Sequence, residues 1–338
     1  MDRGVTRLLK GGKSMKRFIS LLILLSLVNG VFVGTPLLRA QPYPAHPIQL
    51  VIPGAPGDAV DISARSAAEE LAKILKTPII PMNKPGGGSI LGTEFAVKSK
   101  KDGYTLLYAL SSGLIYNPAI NPESVPYDSI RDLEPLGLHV NFPTVISVRA
   151  DSPWRNFSEM IEYAQKNPGK FRCGTLGVGS INHFQLEIIK SITNTDITMV
   201  PFKGASPAVT ALLGGHIEAA FVAVVLSEPH YQAGKLRGIL LDHKVTALAD
   251  IPTLRELGYS QDLPVSFFAF FAPAGIPDEA KKVLVPAIEK AIKTPELVTK
   301  LQKLWYITNY KSPVELKQLL SDNFEKAKSI AKKMEVTK

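Results

Sequence analysis

The residues able to do chemistry in this chain gather in two short stretches. Residues 48–71 read IQLVIPGAPGDAVDISARSAAEEL. The apolar run 48–52 predicts a buried strand, Pro53-Gly54-Ala55-Pro56-Gly57 breaks it, and a helical pattern begins near 58–61. A strand, a glycine-proline turn and a helix N-terminus in succession place several backbone N–H groups at one point. The first helical turn leaves those groups without intrahelical partners and carries the positive end of the dipole, so the point is a ready anion site. The second stretch is 174–183, where Thr175, Gly177, Gly179, Ser180 and Asn182 form a glycine-rich loop after a strand and before a helix. Its hydroxyls, amide and backbone N–H groups could hold a second end of the same molecule. As a nucleotide motif it fails, because Gly177-Val178-Gly179 is followed by Asn182 where a third glycine would stand, and no Gly-Lys-Ser/Thr follows.

Other chemistries have little support. The chain has six histidines and a single cysteine, with no H-x-x-x-H pair and no carboxylate at metal-ligand spacing. His183 reads as a packing or capping residue. Cys173 alone excludes an intramolecular disulfide and a multi-cysteine metal site, and reads as a small buried strand residue. No nucleophile–base–acid set or cofactor fingerprint is evident, so an enzyme is disfavoured and no metal or cofactor is expected.

Residues 1–40 read as an export signal: Lys16 and Arg17 precede the apolar run 18–28, Pro36 breaks the pattern, and Leu38-Arg39-Ala40 places a small residue before Gln41. Leu38 is an imperfect −3 residue, which leaves room for a cut a few residues away, and Met15 is an alternative start. The plainer alternative is an uncleaved anchor, but the apolar core falls short of the roughly 20 residues a span needs. Without this segment the charge changes character. The chain holds 39 Lys+Arg against 30 Asp+Glu; residues 1–40 carry seven of the former and one of the latter, leaving 32 against 29, a net +3. That balance gives little support to nucleic-acid binding, and no basic stripe interleaved with aromatics is present. With no cysteine near the cut to carry a lipid, a soluble periplasmic product is expected.

The elements that must position the two stretches alternate along the remaining chain. Strands are predicted at 48–52, 78–82, 104–109, 136–138, 144–148, 171–175, 197–201, 219–224, 236–241 and 267–272. Helices are predicted at 59–75, 89–98, 158–167, 180–193, 207–214, 278–293, 295–303 and 313–332. Such alternation predicts an α/β protein of βαβ units with largely parallel sheets. About 298 residues suffice for two lobes with their own cores. Crossings between lobes are placed near 141–142 and 264–266, so that 41–142 with 266–338 forms one lobe and 143–265 the other. A chain that leaves and returns in this way makes a hinged pair with a cleft.

A series of motifs gives the chain a resemblance. In order they are YPAHPIQLVIPGAPGDAVDISAR (43–65), NKPGGGSILGTE (83–94), DGYTLL (102–107), VPYDSIRDLEPLG (125–137), NPGKFRCGTLGVGSINHF (167–184), PFKGASPAVTALLGGHIEAAF (201–221), AGKLRGI (233–239), ALADIPTLRELGY (247–259) and FFAPAGIP (270–277). Over essentially 43–335 the chain resembles the solute-binding proteins of tripartite tricarboxylate transport systems, the Bordetella uptake gene (Bug) family. The resemblance implies a two-lobed, type II-like periplasmic binding protein with mostly parallel sheets, closing on a small organic anion in the cleft between lobes. It further implies a monomer that hands its cargo to a membrane permease. A ligand-presenting partner of a membrane sensor kinase is the alternative role.

Mapped residue by residue, the resemblance places Pro56 and Gly57 on the family's Pro-Gly, with backbone N–H groups from Gly57 to Ala59 facing the ligand. Asp58 departs from the family, which has a second glycine there. Three readings stay open: the carboxylate turns away and caps the helix, it meets an ammonium, amide or hydroxyl on the ligand, or the anion site is lost. Asp61 aligns with a common family aspartate and reads as structural. Ser111 and Ser112 follow the DGYTLL strand at the C-terminal sheet edge, where open α/β sheets bind ligands. Phe202-Lys203-Gly204 replaces a typical Tyr-Lys-Gly, and Lys203 either meets an anion or stands exposed near a hinge. Val222 and Ala223 stand where the family often has polar residues. With Phe202 they predict a drier pocket and a ligand with an apolar or aromatic body.

Overall fold

The computed structural model describes residues 42–336, with side chains as far as Lys332, so the expected signal at 1–40 lies outside the described residues. Strand β1 (Ile48–Ile52) leads into α1 (Ala59–Leu75), then β2 (Ile79–Asn83), α2 (Ile90–Val97) and β3 (Thr105–Leu110). A π-type turn, Ser112–Tyr116, runs into the short α3 (Asn117–Ile120), and β4 (Leu133–Phe142) follows. The next segment comprises β5 (Thr144–Arg149), α4 (Phe157–Lys166), β6 (Arg172–Thr175), α5 (Ile181–Thr193), β7 (Thr198–Pro201), α6 (Ala205–Leu213), β8 (Ala219–Ala223), α7 (Val224–Gln232) and β9 (Leu236–Leu241). The chain closes with β10 (Ser266–Pro273), α8 (Asp278–Ile292), α9 (Pro295–Gln302), β11 (Ile307–Lys311) and α10 (Pro313–Val336).

The strands form two sheets, ordered β11-β4-β10-β3-β1-β2 and β7-β6-β8-β5-β9, each flanked by helices in a two-lobed α/β fold. Both sheets are mixed, which corrects the expectation of mostly parallel ones. The strands joined by helical crossovers are parallel: β1 to β2 and β3, and β6 to β7 and β8. The strands that carry the chain between sheets are not. It leaves the first sheet at the end of β4, passes Pro143 into β5, and re-enters on β10, which lies antiparallel to β4 and β3. In the second sheet β5 is antiparallel to β8 and β9. A chain that exits and returns at the same edge must reverse direction, whatever its crossovers do.

Period-two alternation sorts the first sheet into two buried faces. Ile48, Leu50, Ile52, Leu106, Tyr108, Phe268 and Phe270 pack with α1, α8 and α9. Their neighbours Val51, Leu107, Ala109, Phe267, Ala269 and Phe271 belong to the opposite layer with Leu316 and Leu320 of α10. Besides the short α3, two elements escape the sequence pattern. Helix α7 begins directly after β8 and contains Pro229, and β11 is a short, partly exposed edge strand. Neither carries a clean apolar period.

Candidate functional site

The loop after β1 is built first from its own residues. Gly57 takes φ +80°, a left-handed conformation that glycine adopts without strain. Its N–H donates to Asp61 Oδ2 at 2.9 Å, while Asp61 Oδ1 accepts from Arg65 Nε at 2.8 Å and Asn83 Nδ2 at 2.9 Å. Tyr306 donates its hydroxyl to the Ala59 carbonyl at 2.7 Å from the far side. Asp61 is thus a structural brace. The Asp58 N–H is also taken, by the Ala55 carbonyl at 3.1 Å. The Gly57 and Asp58 N–H groups expected to face a ligand are thus engaged within the loop; Pro56 and Gly57 lie exposed and outside the cavity lining, while Asp58 and Ala59 belong to it.

Asp58 holds the N-cap position of α1 in an extended conformation, yet its side chain does not cap that helix. It is 5 % exposed. Its Oδ2 accepts from Ala55 N–H at 3.3 Å, and its Oδ1 reaches the start of α6, accepting from Ala205 N–H at 3.2 Å. The Ser206 N–H contributes a further hydrogen bond. Gly204, the N-cap of α6, has no side chain of its own to offer, and a Cβ built there would lie 2.8 Å from Asp58 Oδ2. One helix start is therefore capped by a carboxylate from a loop 147 residues earlier. Burial pushes the Asp58 carboxyl above the usual carboxylate range; the three backbone N–H groups oppose that rise and Asp61 adds to it.

Asp58 lines a cavity of about 390 Å³, within the usual range for small-molecule sites. Ala59, Ser111, Ser112, Ser180 and Asn182 line it too. Ile181 N–H, at the start of α5, donates to Ser112 Oγ at 2.9 Å, and Ser180 Oγ caps the same helix through His183 N–H at 3.1 Å. Phe202, Lys203 and Ala223 complete the expected lining. Among the described lining residues Asp58 is the only carboxylate and Lys203 the only cation.

Besides Pro56 and Gly57, three further expected residues stand elsewhere. Thr175 is fully buried and shapes its loop, its Oγ1 accepting from Gly177 N–H at 3.3 Å. Gly179 donates to His183 Nδ1 at 3.2 Å without lining the cavity. Val222 points to the other face of β8 and packs with Val209 and Leu212 of α6, because alternate residues of a strand face opposite ways. The dryness expected from Val222 comes instead from Leu110, Leu176, Phe142 and Phe268, the last two stacked with centroids 4.3 Å apart. The lining also includes the loop from Pro85 to Ser89, which the sequence reading passed over as a site. Its signal was there: three glycines between a strand and a helix, the same logic that picked out the first loop. Asn117 Nδ2 holds this loop through the Gly87 carbonyl at 2.7 Å.

Among the described residues no cluster of three His, Cys, Asp or Glu could hold a metal, and no helix is long and apolar enough to cross a membrane.

The family described as "Tripartite tricarboxylate transporter family receptor" matches residues 63–336. Protein BugT of Bordetella pertussis is 32 % identical over 278 residues, spanning 80 % of this chain and 85 % of that protein. The periplasmic binding protein BugD superposes with a TM-score of 0.80 at 28 % identity, over 87 % of this chain and 99 % of BugD. MatC from Rhodopseudomonas palustris, solved with bound malate, gives a TM-score of 0.80 at 25 % identity, over 86 % of this chain and all of its own.

Proposed function

The chain belongs to the tripartite tricarboxylate transporter receptors, which are periplasmic solute-binding proteins, and from that premise we propose that it captures a small organic carboxylate and delivers it to a permease of the same system. We assign the first lobe to residues 41–142 and 266–338 and the second to 143–265. Residues 1–40 direct export.

The observation that carries this reading is the convergence of helix starts on one largely apolar cavity. Helices α1, α5 and α6 all begin at its wall. Ala59 and Val60, in the first turn of α1, line it without a cap from Asp58. N–H groups at a helix start favour a carboxylate over a neutral group, and apolar walls strengthen that preference by excluding water. Malate in MatC supports the same class of cargo. Binding energy then favours the closed arrangement of lobes, which is the form a permease reads.

A thermal-shift screen of the purified protein against small carboxylates and their amides tests the proposal. A ligand present at about 100 times its Kd adds roughly 2.7 kcal/mol, a shift of a few degrees in a protein of this size. Carboxylates that stabilise while their amides do not support the reading. Stabilisation by the amides alone removes the anion site from it.

A further inference from the structure

We propose that Asp58 restricts the cleft to ligands with a single carboxylate on an apolar body, because its own carboxylate already fills the anion position at the start of α6. The inference rests on the capture of carboxylates proposed above and narrows the substrate class of that same site.

Two helix starts at this cavity, those of α1 and α6, come without a side-chain cap from their own N-cap residue. Each is suited to one carboxylate. At α6 the position is occupied from within the chain, Asp58 accepting from Ala205 N–H at 3.2 Å while Gly204 leaves room for the approach. At α1 it is left open, since the Asp58 side chain is turned away from its own helix. A ligand therefore finds one helix start free. A second acidic group on it would enter a cavity that already holds a buried carboxylate, and like charges in a dry site repel strongly. Lys203 is the only cation among the described lining residues, and it stands exposed to solvent. The walls between these points, Leu110, Phe142, Leu176, Phe202 and Phe268, suit an aliphatic or aromatic body. An ammonium is not called for. Both Asp58 oxygens already accept backbone N–H groups.

The test is calorimetric titration of the wild type, Asp58→Gly and Asp58→Asn with hexanoate, benzoate, malate, adipate and phenylalanine. The wild type should bind a monocarboxylate at least tenfold more tightly than either dicarboxylate. Asp58→Gly should close that gap by tenfold or more, since it empties the α6 position, and Asp58→Asn should fall between. A wild type that binds malate or adipate as tightly as the monocarboxylates overturns the inference while leaving carboxylate capture intact. So does a wild type that prefers phenylalanine, or a preference that neither variant alters. If no acid binds any of the three folded proteins, carboxylate capture itself fails, and this inference with it.

Discussion

At the scale of single residues, the Asp58 carboxylate joins the loop before α1 to the first turn of α6 through the Ala205 N–H at 3.2 Å. That a carboxylate at this place must find donors was legible. Its partner was not, since Ala205 lies 147 positions away and nothing local links them. A pH dependence follows from its burial. A carboxyl whose folded pKa lies above its unfolded one holds its proton more tightly when folded; its stabilising contribution is full below the unfolded value, about 3.9, and is lost as pH rises through the folded one. Asp58→Asn removes that loss, so the Tm of the wild type relative to this variant should fall over the range above about pH 4. A difference that stays constant across this range would show that the burial of Asp58 has no energetic consequence. The close approach at Gly204 gives a second check. Gly204→Ala drives a Cβ to 2.8 Å from Asp58 Oδ2, and overpacking of this kind costs about 1–3 kcal/mol. In an Asp58→Gly background the obstacle is gone, so the two substitutions should be non-additive in chemical denaturation.

At the scale of elements, the legible parts are those whose pattern is strong on its own. Strand β1 and helix α1 were delimited correctly from an apolar run, a glycine-proline break and a long amphipathic period. Helix α7 was missed because it starts without a loop and carries an internal proline. Strand β11 was missed because an edge strand with one covered face needs no continuous apolar run. The polar junction where the chain crosses between sheets was equally invisible. Gln185 of α5 donates to the Pro264 carbonyl at 2.7 Å and to Asp242 Oδ2 at 3.3 Å, and accepts from Thr144 Oγ1 at 3.1 Å. Asp242 Oδ1 in turn accepts from Thr144 N–H at 3.0 Å. One side chain thus ties both crossings to the helix whose first turn lines the cavity. Gln185→Leu leaves several buried polar atoms without partners and should cost about 1–3 kcal/mol, read as a lower urea midpoint. An unchanged midpoint would mean that the crossings hold their places without it.

At the scale of the whole molecule, the contacts among the described residues that bridge the cleft include three beside the cavity. Asp58 meets α6, Ser112 meets α5, and the glycine loop before α2 meets the loop before α5, where a Cβ on Gly88 would lie 2.8 Å from the Val178 carbonyl oxygen. Loss of the first contact should shift the ligand-free protein toward open forms, because the balance between open and closed lobes follows the contacts each form makes. Small-angle scattering should therefore give a larger radius of gyration for ligand-free Asp58→Gly than for the wild type, with saturating carboxylate bringing the two together. Equal radii without ligand would place the closing energy elsewhere in the interface. The two-lobed architecture was readable from alternating strands and helices together with ordered motifs. The mixed direction of the sheets was not, because the path of the chain between lobes sets it and no local pattern records that path.

The most direct measurement is calorimetric titration of the wild type and an Ala223→Phe variant with small carboxylates, after the variant's thermal melt confirms that it is folded. Ala223 is buried in the cavity wall, so a phenyl ring there occupies the space a ligand body needs. The wild type should bind at least one small carboxylate with one-to-one stoichiometry, and the variant should bind it at least tenfold more weakly. A wild type that binds none of them, or a variant that binds them equally well, would contradict capture at this site.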